Sequence, residues 1–90
     1  MLNLVERFAM KEYEFDVVLK DLADVSDDQA DALYAAGCDD GTPASRDGVA
    51  WVHFDRVAPS LEEAIRSAIA QIQSVGLVAS RVEIAADAAA

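Results

Sequence analysis

Two stretches of this chain alternate apolar and polar residues one by one, and each runs on into a capped helical pattern. In residues 13–19, Tyr13, Phe15, Val17 and Leu19 share one side, while Glu14, Asp16 and Val18 share the other. In residues 49–56, Ala50, Val52 and Phe54 share one side, while Trp51, His53 and Asp55 share the other. A period of two in aromatic and β-branched residues marks a strand with one face on a core. After the first strand, Ser26-Asp27-Asp28-Gln29 reads as a capping box, in which the serine hydroxyl serves the N3 amide and Gln29 reaches back. Ala30, Leu33 and Tyr34 then form an inward stripe, and Gly37 ends the helix where a left-handed residue is favoured. After the second strand, Ser60-Leu61-Glu62-Glu63 repeats the capping-box pattern. Leu61, Ala64, Ile65, Ala68, Ile69, Ile72 and Val75 follow at spacings of three and four, up to Gly76.

Two weaker strands complete the order. Asp47-Gly48 is a two-residue hairpin signal leading straight into the second alternating run. The strand before it is expected near residues 42–45, at a sheet edge because Pro43 cannot donate to a ladder. Residues 77–84 form the last, with Val78, Val82 and Ile84 on one side and Arg81 and Glu83 on the other. The order strand, helix, strand, strand, helix, strand predicts an α+β fold, the ferredoxin-like βαββαβ sandwich. Right-handed crossovers then place the strands of a four-stranded antiparallel sheet in the order 4-1-3-2, with both helices on one face. This domain is expected over residues 11–84. Residues 1–10 carry Leu4, Val5, Phe8 and Ala9 at helical spacing and read as a short amphipathic extension without a secretion-signal pattern, and Met10 is a second candidate start. Residues 85–90 read as a frayed tail.

Composition narrows the function classes. The 90 residues carry 17 acidic and 7 basic side chains, a net charge of −10, the wrong sign for a phosphate-backbone footprint. No apolar run approaches the roughly 20 residues of a membrane span. One cysteine, Cys38, allows neither an internal disulfide nor a multi-cysteine zinc site, so a reducing, cytoplasmic setting is expected. Cys38 is expected to be a small buried hydrophobe. No serine or cysteine sits in an activated-nucleophile motif, and no glycine-rich loop is built to cradle phosphates. The chain is therefore expected not to be an enzyme.

With the helices on one face, the other face of the sheet stays open. It is expected to present Glu14, Asp16 and Val18 beside Trp51, His53 and Asp55, flanked by Arg81 and Glu83 from the last strand. Trp51 is the candidate anchor, because an indole buries a large area at small entropy cost. On paper, His53 with Glu14, Asp16 and Asp55 makes a His-carboxylate metal site. Their spacing matches no ligand motif, so the expectation is a solvated polar face with neither metal nor cofactor.

Four runs carry a family resemblance: residues 13–19 (YEFDVVL), 30–40 (ADALYAAGCDD), 45–49 (SRDGV) and 54–69 (FDRVAPSLEEAIRSAI). Together they resemble a small bacterial family in which such a domain precedes a helix-turn-helix DNA-binding module of the excisionase or MerR-like type. The likeness covers residues 10–84 and departs at His53, where many members carry a carboxylate. It implies a regulatory or assembly domain rather than an enzyme. The expected function is a non-enzymatic interaction domain that forms homodimers, with a protein partner that supplies DNA binding and no direct nucleic-acid or membrane binding of its own. The alternatives are an ACT-like effector-sensing domain and an acidic DNA mimic that occupies a basic partner.

Overall fold

The computed structural model describes residues 10–84. The extension expected at residues 1–10 (apart from Met10) and the tail at 85–90 lie outside the described residues. Strand β1 spans Lys11–Leu19, helix α1 Asp27–Ala35, strand β2 Gly41–Arg46, strand β3 Val49–Ala58, helix α2 Leu61–Ser74 and strand β4 Ala79–Glu83. The four strands form one antiparallel sheet in the order β2-β3-β1-β4, the predicted order read from its other edge. The architecture is an α+β arrangement of two helices and an open sheet.

Each boundary has a local cause. Ser26 accepts from the Gln29 amide and Gln29 Oε1 accepts from the Ser26 amide, so the capping box of α1 is complete. The second box is only half made: Ser60 Oγ accepts from the Glu63 amide, and among the described hydrogen bonds Glu63 returns none. Both helices end in the same motif. The amides of Gly37 and Cys38 reach back to the carbonyls of Tyr34 and Leu33, and those of Gly76 and Leu77 to Gln73 and Ile72. This is the Schellman pattern, and each glycine supplies its positive φ. The β2–β3 hairpin turns on Asp47 and Gly48, at φ 54 and 80, the two positive values of a type I′ turn.

The core lies between the sheet and both helices. Phe15, Val17 and Leu19 of β1 and Ala50, Val52, Phe54 and Ala58 of β3 meet Leu33 of α1 and Ala64, Ala68 and Ile72 of α2. Phe15 and Phe54 are direct cross-strand partners, and their rings stack at 5.4 Å between centroids. Ala64 and Ala68 have no exposed surface, and their small side chains let α2 lie close to the sheet. Cys38 is buried in the same core, as expected.

Three apolar placements are corrected. Tyr34 is 68% exposed, because the nine-residue α1 turns only a narrow stripe, centred on Leu33, onto the sheet. Val78 is 51% exposed, and Ala79 and Val82 are the β4 residues that pack on the core. The ladder from β1 to β4 shifts register between Val18 and Leu19, so strict alternation does not run through Ser80. Ile84, expected on the same side as Val82, lies past the end of β4 and is also exposed.

Candidate functional site

The open face is built by cross-strand register. Glu14 lies opposite Asp55, Asp16 opposite His53, and Val18 opposite Trp51. On the other side of β1, Asp16 pairs with Glu83 and Val18 with Arg81. On the other side of β3, Trp51 pairs with Ala44, His53 with Thr42, and Val49 with Arg46. Side chains of paired residues point to the same face of a sheet, so Glu14, Asp16, Val18, Trp51, His53, Asp55 and Arg81 share the surface opposite the helices. Trp51 is half-buried there. Val18, expected to be outward and open, is only 5% exposed, being set between the larger Trp51 and Arg81. It forms the floor of the face rather than its surface.

Around Trp51 the face dips into a shallow depression of about 330 Å³. Its apolar lining is Val18, Val49 and Trp51, its cationic lining Arg46 and Arg81, and its acidic lining Asp16, Asp47 and Glu83. Arg81 Nε donates to Glu83 Oε2 at 2.8 Å within the same strand. At the other end of the face lie Glu12, Glu14 and Asp55, together with Val57, which is 58% exposed. The face therefore carries carboxylates along its whole length, with two arginines among them around the indole.

His53 links the two ends. Its Nδ1 stands 2.6 Å from Asp16 Oδ1, and its Nε2 stands 3.6 Å from Asp55 Oδ1. The hydrogen bond to Asp16 raises the imidazole above its ordinary value, and partial burial opposes this. Glu14 is also raised, first by a hydrogen bond shared with Asp55 and then by that neighbour's charge.

Sequence reading assigned no role to Arg56, yet it is the one buried charged residue among those described. Its Nε and Nη2 donate to the two oxygens of Asp40, both at 2.8 Å. Nη1 donates to Ser67 Oγ at 3.0 Å, and Nη2 also reaches the Gly37 carbonyl at 3.2 Å. The guanidinium lies 4.9 Å from the Phe54 ring centroid. The alternation of β3 contains the signal, since Ala50, Val52, Phe54, Arg56 and Ala58 are all even-numbered and inward. This cluster ties the loop after α1 and the middle of α2 to β3, which is a structural role. Cys38 beside it donates to Gln71 Oε1 at 3.6 Å, and burial pushes its thiol up.

Comparison with protein-family models, curated proteins and solved structures finds no significant match. Among the described residues no helix is long and apolar enough to cross a membrane.

Proposed function

We propose that this chain is a non-enzymatic, self-associating interaction domain of ferredoxin-like topology, working in the cytoplasm as a regulatory or assembly module. The observation that carries the reading is the open sheet face with Trp51 set in it. Two further features support it. Trp51 sits in a depression floored by Val18 and rimmed by charged side chains, a setting in which an indole can anchor a partner. The face also carries both signs of charge: a two-fold axis through its middle would set Arg46 and Arg81 of one copy near Glu12, Glu14 and Asp55 of the other, with Asp16, Asp47 and Glu83 beside the arginines. The resemblance to domains that precede a helix-turn-helix module adds a candidate partner of DNA-binding function. With a net charge of −10, that partner, not this chain, contacts the nucleic acid.

Sedimentation velocity of the full chain at micromolar concentration tests the proposal. A dimer that Trp51→Ala converts to monomer, and that weakens in Arg46→Glu and at high salt, is the expected result. A chain that stays monomeric at all concentrations refutes it, as does a dimer untouched by these changes.

A further inference from the structure

We propose that Glu14, His53 and Asp55 form a binding site for a divalent transition-metal ion of the zinc type, with Asp16 orienting the histidine from behind. The inference does not rest on self-association, because all four residues belong to one chain.

The geometry is that of a metal-binding imidazole with its carboxylate support. Metal-ligating histidines commonly give one ring nitrogen to the metal and hold the other on a carboxylate, which fixes the tautomer and the ring plane. Here Asp16 takes Nδ1 at 2.6 Å, which leaves Nε2, on the Asp55 side, for a metal. Nε2 lies 3.6 Å from Asp55 Oδ1. Two ligands on one tetrahedral zinc ion, with bonds near 2.0–2.2 Å, stand about 3.3 Å apart. The pair is thus within a few tenths of an ångström of its bridged separation. Ligand atoms of Glu14, His53 and Asp55 all lie within 4.8 Å of one another. Glu14 is exposed, and rotation of its flexible side chain closes the remaining distance. Three protein ligands leave the fourth position for water or a donor from a docked molecule.

What separates this site from an ordinary acidic surface is the imidazole and its fixed orientation. The chain's other acidic pairs, such as Asp27 and Asp28 at the start of α1, have no histidine, since His53 is the only one in the sequence. One nitrogen and two carboxylate ligands favour a borderline ion such as Zn²⁺, Co²⁺ or Ni²⁺. Mg²⁺ and Ca²⁺ prefer sets made of oxygen alone. A bound cation would relieve the repulsion between the neighbouring Glu14 and Asp55 carboxylates. Cys38, the chain's one thiol, is buried on the far side of the sheet and does not compete.

Calorimetric titration of the full chain with zinc chloride, and with magnesium chloride in parallel, tests the site. The imidazole resonances of His53 are followed by NMR in the same samples. The expected result is one zinc per chain, a shift of the His53 signals that saturates with that one equivalent, and no response to magnesium. His53→Ala and Glu14→Gln should each weaken zinc binding at least 100-fold while the folded spectrum is kept. Asp16→Asn, which removes only the orienting partner, should weaken it by about 10–100-fold. Asp27→Asn with Asp28→Asn should leave it unchanged. Zinc that leaves the His53 signals unmoved at millimolar concentration overturns the proposal, and so does zinc affinity that survives His53→Ala. Because the proposed dimer would engage Glu14 and Asp55, the zinc titration is repeated on the Trp51→Ala chain, and one zinc per monomer there leaves this site standing whatever the outcome for self-association.

Discussion

Arg56 carries the one buried charge among the described residues. Its guanidinium is 8% exposed, whereas the Asp40 carboxylate keeps 29%, so the two ends of the ion pair are not equivalent. Removing the aspartate strands a buried cation, while removing the arginine leaves a carboxylate that water can reach. We expect Asp40→Ala to cost about 2–3 kcal/mol, somewhat under the loss for a fully buried pair, and Arg56→Met about 1 kcal/mol. Urea denaturation of both variants checks the order; equal losses would contradict the asymmetry. The same pair governs acid stability. Arg56 holds the Asp40 carboxyl below its ordinary 3.8. Its contribution is therefore complete above that value and is lost as the pH falls through the lower, folded-state value.

His53 has the opposite sign. Its hydrogen bond to Asp16 raises its titration above the ordinary 6.5. The stabilisation is present in full below 6.5 and disappears as the pH rises through the folded-state value. Both side chains are more than a third exposed, so the energy involved is small and the clearer readout is titration itself. We expect Asp16→Asn to move the one histidine of the chain back toward 6.5, as followed by NMR. An unchanged titration would mean that the contact to Asp16 does not persist in solution.

At the scale of elements, caps and close approaches decide where the chain turns. The complete box at Ser26 serves the short helix α1, which buries only Leu33 and so draws less on packing than α2 does. Ser26→Ala should therefore cost about 1 kcal/mol, read as a lower urea midpoint at unchanged slope. Gly41 opens β2 under a different constraint. A Cβ at this position would meet Val52 Cγ1 at 2.8 Å and the Phe54 ring at 3.0 Å. Gly41→Ala should destabilise by about 1–3 kcal/mol through overpacking. Gly48→Ala meets no neighbour and should lose only through its positive φ, about 1 kcal/mol. Comparison of the two by thermal unfolding separates crowding from backbone strain.

At the scale of the whole molecule, one sheet does two jobs. Its inner face closes on α1 and α2 around Phe15 and Phe54, and its outer face keeps Trp51, the His53 cluster and two arginines in water or against a partner. Truncation of Phe54 should cost about 3–5 kcal/mol, whereas Trp51→Ala should leave the melting temperature of the monomer nearly unchanged. A Trp51 variant that unfolds on dilution would instead make the outer face part of the fold's own stability.

Local periodicity was enough to determine the order of elements, the two helix starts, the Asp47-Gly48 hairpin and the sidedness of β1 and β3. Each of these depends on residues within a few positions of one another, where propensity, capping and turn chemistry act directly. The tertiary structure alone decided the rest. Arg56 finds Asp40 and Ser67, Ser80 breaks the alternation of β4, and Asp16 meets His53 across strands, in each case through partners remote in sequence. Cross-strand register is set by how the whole sheet packs on its helices. No spacing along one strand records it, and for that reason the orientation of the histidine among its carboxylates emerged only from the fold.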